Sequence, residues 1–323
     1  MTTKVGINGF GRIGRCLARI ITDERDDLEL VRINATGDEY VNNHLLNFDS
    51  VHGRWKGKLK DTTTYTHSRD INLLDWNGVD VLLECTGQFR DGHQSNIHLE
   101  NGAKTVLISS PGKNVDRTVV YGVNHNDITV KDSIISSASC TTNCLAPIVK
   151  VLNDSLGIIR GSMTTIHSYT GDQATIDRRH DDLYRARAAA MSMIPTTTGA
   201  AKALKLVLPE MEGKIIGSAI RVPTPNVSCI DLHFYSEADV DVDTVNDIVK
   251  TASENEMKGI IGFETRPLVS MDFNTTNESC IFAADSTLVC GKLVRVLCWY
   301  DNEWAFSNRM ADTASHIGLI NEY

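Results

Sequence analysis

The sequence predicts two domains, an α/β domain with a parallel sheet and then an α+β domain with a mostly antiparallel sheet. In the first part of the chain, short apolar runs alternate with helical patterns, as is typical of parallel sheets with right-handed crossovers. After residue 140 the apolar runs are longer and alternate with polar residues, which favours antiparallel strands covered on one face. With 323 residues, 41% of them hydrophobic, the chain is long enough to give each domain a core.

The elements of the first domain begin at the N-terminus. Residues 3–8 form an apolar run that predicts a buried strand. The helix predicted from Arg12 to about Ile21 carries its isoleucines and a leucine on one face. Further strands are predicted at residues 29–33, 79–85 and 105–109, and polar loops follow the last two.

The second domain is predicted to open with a helix from Thr141 to Asn153. Alternating runs at 228–234 and 293–300 predict two of its antiparallel strands, and residues 302–323 predict a final helix. We therefore expect residues 1–140 plus the C-terminal helix 302–323 to form the first domain, and residues 141–301 to form the second.

Charge and composition argue against several classes of protein. The net charge is −9 and the pI is about 5.6, so nucleic acid is not an expected partner, because binding a phosphate backbone needs a basic surface. No apolar run reaches the length of a membrane span, and no apolar signal segment follows Lys4. We expect a cytoplasmic protein with no membrane partner. The eight cysteines include no CxxC pair, so we expect core thiols and no metal site.

A glycine motif follows the first predicted strand and opens the first predicted helix. It is Gly9-Phe10-Gly11-Arg12-Ile13-Gly14, the GxGxxG pattern in the context that the motif requires. Gly9 and Gly11 allow the backbone to approach a pyrophosphate, whose charge is favourable at a helix N-terminus. The first domain is therefore predicted to be an α/β Rossmann dinucleotide-binding domain.

Cys140, at the predicted boundary between the domains, and His167 in the second domain predict covalent catalysis. Cys140 lies at the start of a predicted helix, whose dipole favours a thiolate, and His167 lies downstream as a candidate base. Hydroxyl groups of Ser139 and Thr141 flank the sulfur, which suits an anionic substrate rich in oxygen.

The sequence closely resembles the phosphorylating glyceraldehyde-3-phosphate dehydrogenases along nearly its whole length. The blocks that carry the resemblance are Ile7–Gly14, Ala138–Cys144, His167–Asp172, Arg185–Ala190, Pro195–Lys202, Arg221–Pro223 and Trp299–Trp304. Several such blocks in order specify the family far more strongly than any single motif. The resemblance implies that the second, α+β domain is the catalytic domain.

The family reaction follows from this resemblance. It converts glyceraldehyde 3-phosphate, inorganic phosphate and NAD(P) to 1,3-bisphosphoglycerate in glycolysis or gluconeogenesis. Cys140 would form a hemithioacetal and then a thioester, with His167 as the base. The resemblance also implies a homotetramer.

The same resemblance implies two phosphate sites. The site for the substrate's own phosphate is lined by Thr170, Asp172 and Arg221, and the attacking phosphate is surrounded by Ser139, Thr141, Arg185, Thr198 and Gly199.

The resemblance further assigns the cofactor contacts. Arg12 and Ile13 match the pyrophosphate contact, Asn34 and Arg69 lie near the adenosine, and Asn302 holds the carboxamide. The predicted cofactor-binding residues that match the family are Asn8, Gly9, Gly11, Arg12, Ile13, Asn34, Arg69, Thr86, Gly87, Ser109 and Asn302.

Two departures from the NAD-dependent members bear on cofactor choice. Ala35 stands where an Asp is usual, so the carboxylate that binds the ribose hydroxyls and repels a 2′-phosphate is missing. Arg178 and Arg179 replace a Leu-Pro pair in a loop that, in the family's tetramer, reaches a neighbouring adenosine pocket. Losing an anion and gaining two cations predicts use of NADP, alone or alongside NAD. The alternative is that both arginines only face solvent.

Two rival functions follow from the same residues. A hydrolysing erythrose-4-phosphate dehydrogenase is disfavoured, because that subgroup lacks the counterparts of Thr170, Thr198 and Gly199. A non-catalytic NAD(P)-sensing protein would lack the cysteine or the histidine, and neither is missing here.

Overall fold

The computed structural model describes residues 2–321, which divide into two compact units. One unit comprises the chain up to Ser139 together with the residues from Phe306 onward, and the other comprises Cys140–Ala305. The last two residues of the predicted C-terminal helix, 322 and 323, lie outside the described residues. Among residues 2–321, no helix combines the length and the apolar character that crossing a membrane requires.

The first unit alternates strands and helices, as the sequence predicts. In chain order it contains β1 (Thr3–Asn8), α1 (Arg12–Glu24), β2 (Leu28–Asn34), α2 (Glu39–Asn47), β3 (Phe48–Asp49), β4 (Gly53–Arg54), β5 (Thr64–Thr66), β6 (Val81–Glu84), α3 (Gly92–Glu100), β7 (Thr105–Ile108), β8 (Arg117–Thr118) and β9 (Ile134–Ser136).

Its main sheet is entirely parallel and has the order β5-β2-β1-β6-β7-β9-β8. Strands β6 and β7 are buried along their whole length, which explains their continuous apolar runs. The chain leaves β1 towards β2 on one side and later returns to β6 on the other. Ligands of such sheets bind beyond the carboxyl ends of the strands at this reversal of strand order.

Two glycines allow α1 to pack directly on the end of β1. A Cβ on Gly14 would lie 2.2 Å from the carbonyl oxygen of Gly9. Gly9 itself has φ +96°, and its Cβ would lie 2.6 Å from the backbone nitrogen of Thr86. The spacing of the glycine motif therefore serves close packing as well as open backbone.

The second unit alternates helices and strands less regularly than the first. In chain order these are α4 (Cys140–Leu156), β10 (Ile158–Ser168), β11 (Ile194–Thr196), α5 (Ala200–Val207), β12 (Ile215–Val222), β13 (Ser228–Ser236), α6 (Val242–Glu254), β14 (Ile261–Glu264), β15 (Cys280–Ala283), β16 (Leu288–Cys290) and β17 (Leu293–Tyr300). The final helix α7 spans Trp304–Asn321.

The sheet of the second unit is mostly antiparallel, which confirms the prediction. Its order is β11-β12-β10-β13-β17-β15-β14, with β16 added against β17. Only β10 with β12, and β14 with β15, pair in parallel. The parallel register sets His167 opposite Arg221, at the carboxyl ends of β10 and β12. Helix α4 covers one face of this sheet and is buried from Thr141 to Val149.

Candidate active site

The predicted nucleophile and base meet within the second unit. Cys140 is the first residue of α4, and His167 is the penultimate residue of β10. The Sγ atom of Cys140 lies 3.5 Å from Nε2 of His167, which is hydrogen-bonding distance for sulfur. Residues that are 27 positions apart in sequence therefore form a contacting thiol–imidazole pair.

The neighbours of His167 fix its tautomer. Its Nδ1 lies 2.7 Å from the carbonyl oxygen of Ser168, which can only accept, and 3.0 Å from Nη1 of Arg221, which can only donate. The Ser168 contact is the shorter one, and Arg221 Nη1 has two other acceptors, so we assign the proton to Nδ1. Nε2 is then left with a lone pair that faces the thiol of Cys140. Arg221 Nη1 donates to the same carbonyl at 2.9 Å and to Thr170 Oγ1 at 3.1 Å. This arrangement leaves Nε2 free to act as a base.

Burial keeps both members of the pair neutral in the resting chain. It lowers the pKa of His167 to about 3, and the charge of Arg221 acts in the same direction. Burial also raises the pKa of the Cys140 thiol, and Arg221 and the Thr141 amide oppose this effect without overcoming it. The helix position favours a thiolate, as the sequence predicts, but desolvation outweighs it. A nucleophilic attack by this sulfur would therefore require transfer of the thiol proton.

Tyr300 completes this core of the site, and the sequence analysis did not assign it a role. Its hydroxyl lies 2.9 Å from Oγ1 of both Thr141 and Thr165, and its ring stands edge-on to His167. Tyr300 is the last residue of β17 and is almost completely buried. It therefore joins the first turn of α4 to the sheet. The sequence feature that could have identified it is the Trp299–Trp304 block, which contains Tyr300 and carries part of the family resemblance.

A group of charged side chains lies next to the imidazole. Arg185 Nη1 donates to Asp172 Oδ2 at 3.1 Å, and Thr170 donates to the other oxygen of Asp172. Burial alone would raise the pKa of Asp172, but the Thr170 hydrogen bond and the charges of Arg221 and Arg185 outweigh it and lower the pKa. Arg185 is also held by Thr196 Oγ1, at 3.1 Å from its Nε.

This group favours an anionic ligand. Arg185 is shared between two carboxylates, Asp172 at 3.1 Å and Asp182 at 3.6 Å, whereas Arg221 forms no ion pair within residues 2–321. The charge of Arg221 is therefore the one available to an anion. The Nε of Arg221 is buried and has no hydrogen-bond partner among residues 2–321. A phosphate oxygen is a fitting acceptor for such a donor. Thr198 and Gly199 directly precede α5, and Oγ1 of Thr198 accepts a bond from the Ala200 amide.

Other predicted site residues of the second unit have different surroundings. Asn302 is buried, and its Oδ1 accepts hydrogen bonds from Ser168 Oγ at 2.8 Å and Ser228 Oγ at 3.0 Å. Arg178 and Arg179 lie exposed on the loop between β10 and β11. Within residues 2–321, neither guanidinium group forms an ion pair. Ser139, next to Cys140 in the chain, is the last residue of the first unit.

The first unit contains a cavity of about 660 Å³ at the carboxyl ends of β1, β2 and β6. Six predicted cofactor residues line it: Asn8, Gly9, Gly11, Asn34, Arg69 and Thr86. A Cβ on Gly11 would meet no atom within 4 Å, so the backbone there is open to a ligand. A bare backbone at a helix N-terminus is what a pyrophosphate requires.

The remaining predicted cofactor residues do not line this cavity. Arg12 and Ile13 lie in the first turn of α1, where Arg12 pairs with Asp49. Gly87 and Ser109 follow β6 and β7, and the Ser109 amide donates to the Glu84 carbonyl at 3.0 Å. The side chain of Ala35, directly after β2, is buried, and the residues that line the cavity near it are Thr36 and Ser68. The sequence did not predict these two hydroxyl groups as part of the site, because neither residue belongs to a motif.

Cys144 lies one turn after Cys140 and is fully buried. Burial raises the pKa of its thiol to about 11, so it is a poor nucleophile.

Comparisons with known proteins point to one family. Residues 139–302 match the family described as glyceraldehyde 3-phosphate dehydrogenase, C-terminal domain, and residues 3–92 match its NAD binding domain. The chain is 54% identical over 332 residues to a glyceraldehyde-3-phosphate dehydrogenase of Cereibacter sphaeroides, covering 99% of this chain and 100% of the relative. It is also 54% identical to that of Xanthobacter flavus, with the same coverage, and 49% identical to that of Geobacillus stearothermophilus, covering 98% of each chain.

The buried neutral state of His167 predicts a pH dependence of stability. Unfolded histidine titrates near pH 6.5, whereas the folded pKa is about 3, so below pH 6.5 the unfolded chain binds more protons. The contribution is complete above pH 6.5 and is lost as the pH falls, by up to about 1.4 kcal/mol per unit. We expect His167→Gln to flatten the fall in unfolding free energy between pH 7.5 and pH 5, and His93→Gln, on the exposed surface of α3, to leave it unchanged. Parallel curves for wild type and His167→Gln would contradict the assignment.

Proposed function

The chain belongs to the glyceraldehyde-3-phosphate dehydrogenase family, and from this premise we propose a phosphorylating oxidation that proceeds through a thioester on Cys140. The substrates are glyceraldehyde 3-phosphate, inorganic phosphate and NAD or NADP, and the product is 1,3-bisphosphoglycerate. The observation that carries the proposal is the 3.5 Å contact between Cys140 Sγ and His167 Nε2, with Nδ1 tied to a carbonyl.

The side chains of the site support each proton transfer. As Sγ of Cys140 attacks the aldehyde carbon, the thiol proton passes to Nε2 of His167 and then to the new hydroxyl group. When the hydride leaves this hemithioacetal, Nε2 takes the hydroxyl proton, and a thioester remains. A phosphate oxygen then attacks the thioester carbon, the carbon–sulfur bond breaks, and His167 returns its proton to the sulfur. Nucleophile and base act in both halves of the reaction.

The polar side chains around Arg221 and Arg185 support two phosphate positions. Arg221, Thr170 and Asp172 are proposed to bind the substrate's own phosphate, because the unpartnered Nε of Arg221 offers it a buried donor. The attacking phosphate is proposed to lie among Ser139, Thr141, Arg185, Thr198 and Gly199. A phosphate that attacks in place of water conserves the energy of the thioester as an acyl phosphate.

The cavity of the first unit fits a dinucleotide. Gly9 and Gly11 would hold the pyrophosphate, while Asn34 and Arg69 would lie beside the adenosine. A nicotinamide cofactor bound there supplies the hydride acceptor.

Use of NADP, alone or alongside NAD, is the finer part of the proposal. No carboxylate occupies the end of β2, where Ala35 is followed by the hydroxyl of Thr36 in the cavity wall. Arg178 and Arg179 are exposed and without ion-pair partners in the described chain, so both charges are available to a phosphate.

A homotetramer is proposed from the family and is supported by the loop between β10 and β11. This loop exposes five large apolar side chains to between 62% and 81% of their surface: Ile176, Leu183, Tyr184, Met191 and Met193. Clustered exposed apolar side chains favour contact with another subunit. A cytoplasmic location stays a prediction from the sequence.

The covalent step predicts distinct effects of two substitutions. Cys140→Ser should abolish oxidation while cofactor affinity persists, because a serine hydroxyl is a far weaker nucleophile. His167→Asn should lower kcat on the order of 10²–10⁴-fold, as expected for loss of a general base. Steady-state rates and cofactor titrations check both. Cys144→Ala, on the same helix, should retain activity. Substantial turnover by Cys140→Ser would rule out the mechanism.

The phosphorolytic step predicts an absolute need for inorganic phosphate. Reduction of NAD or NADP with glyceraldehyde 3-phosphate should stop after one turnover when phosphate is omitted, and should resume when it is added. Steady turnover without phosphate would instead indicate a hydrolysing enzyme of the erythrose-4-phosphate dehydrogenase type.

Cofactor choice can be tested at the residues that motivate it. We expect Ala35→Asp and Arg178→Leu each to lower kcat/KM for NADP by about tenfold, the effect of one lost or opposed charged hydrogen bond. The value for NAD should be maintained. Arg187→Leu is the matched control, because Arg187 lies in the same loop and pairs with Asp177 at 2.8 Å. Unchanged NADP kinetics in both variants would discard NADP use through these residues.

A further inference from the structure

A buried polar network lies beneath the cavity of the first unit. Three polar residues end neighbouring strands in register: Asn34 ends β2, Asn8 ends β1, and Glu84 ends β6. All three are at most 5% exposed. Polar side chains this deeply buried need hydrogen-bond partners, because leaving them unpaired is costly.

Glu84 is the centre of the network and accepts four hydrogen bonds. Oε1 accepts from the amide of Thr86 at 2.7 Å and from the hydroxyl of the same residue. Oε2 accepts from Asn8 Nδ2 at 2.5 Å and faces His98 Nε2 at 3.1 Å. Thr86 and Asn8 both line the cavity. The carboxylate thus joins two parts of the cavity wall from below.

The direction of the bond from His98 is set by Trp76. Both residues are fully buried, and Trp76 Nε1, which can only donate, lies 3.1 Å from His98 Nδ1. Nδ1 therefore accepts, the proton resides on Nε2, and Nε2 donates to Glu84. His98 does not line the cavity itself. It contacts the wall through the carboxylate and through the ring of Phe89, which lines the cavity and lies edge-on to the imidazole at 5.6 Å between ring centroids. Only the bond to the carboxylate depends on the tautomer.

The network continues from Asn8 to the adenosine end of the cavity. Oδ1 of Asn8 accepts from Asn34 Nδ2 at 2.8 Å, and the same nitrogen donates to the Ser68 carbonyl at 3.1 Å. Oδ1 of Asn34 accepts from the Ser68 amide at 3.1 Å and from Thr66 Oγ1 at 3.0 Å. Every polar atom of both asparagine side chains is thus bonded within the protein.

We propose that His98 is a positioning residue for cofactor binding. Held in one tautomer by Trp76, it orients Glu84, which fixes Thr86 and Asn8, and through Asn8 the amide of Asn34, in the cavity wall. The inference rests on the proposed role of this cavity as the dinucleotide site. It also gives Asn8 and Asn34 a part in shaping the wall besides any direct contact, because each polar atom of their side chains already has a partner within the protein.

The test compares two amide substitutions that differ only in reach. In His98→Gln the side-chain nitrogen can occupy the place of Nε2 and donate to Glu84, whereas in His98→Asn it reaches only the place of Nδ1. We expect His98→Asn to raise Kd for both NAD and NADP by about tenfold, and His98→Gln to restore most of the affinity. The value of kcat at saturating cofactor should change less than threefold, which is about the size of effect that an ordinary surface substitution has.

Three further variants make the outcomes distinguishable. Asn124→Ala removes a buried amide of the first unit that does not line the cavity, and controls for lost stability. Gly11→Glu should abolish binding, because a Cβ there meets no protein atom within 4 Å and the new carboxylate would repel a pyrophosphate. If it does not, the cavity is not the cofactor site, and both the proposed site and this inference fail. If Gly11→Glu abolishes binding but His98→Asn weakens it no more than Asn124→Ala does, only the role of His98 is overturned. Should His98→Asn fail to fold, Trp76→Phe decides, and an unchanged Kd in that variant overturns the proposal.

Discussion

The parallel pairing of β10 with β12 is the constraint on which the chemistry of the second unit depends. It sets the imidazole of His167 directly opposite the guanidinium of Arg221. Burial, reinforced by this cation, keeps the imidazole neutral, and Arg221 bonds the Ser168 carbonyl alongside Nδ1, so Nε2 faces the sulfur. The same pairing brings the charge that we propose for phosphate binding close to Cys140.

Local signals explain why much of the fold was predictable. The run at residues 3–8 and the glycine motif after it gave β1 and the start of α1, because strand burial and helix initiation are encoded within a few residues. The helix predicted from Thr141 begins one residue earlier, at Cys140. The sulfur therefore belongs to the first turn. The prediction of a mostly antiparallel second sheet rested on the same kind of periodicity.

Such local signals could not predict contacts between distant segments of the chain. The hydroxyl of Tyr300 meets Thr141 and Thr165 because three elements converge, and no spacing along the chain encodes that. Asn8 and Asn34 were correctly placed at the cavity, yet the bonds that occupy their amides depend on strand register. The sequence favoured a thiolate from helix position alone, because desolvation at Cys140 follows only from packing.

The row formed by Asn34, Asn8 and Glu84 restricts how this pocket can evolve. Each member satisfies the next, so a single replacement leaves a buried partner unpaired, at a cost of about 1–3 kcal/mol. Such positions are therefore expected to change together. Single changes that alter cofactor preference are expected at wall residues outside the row, such as Thr36, rather than within it.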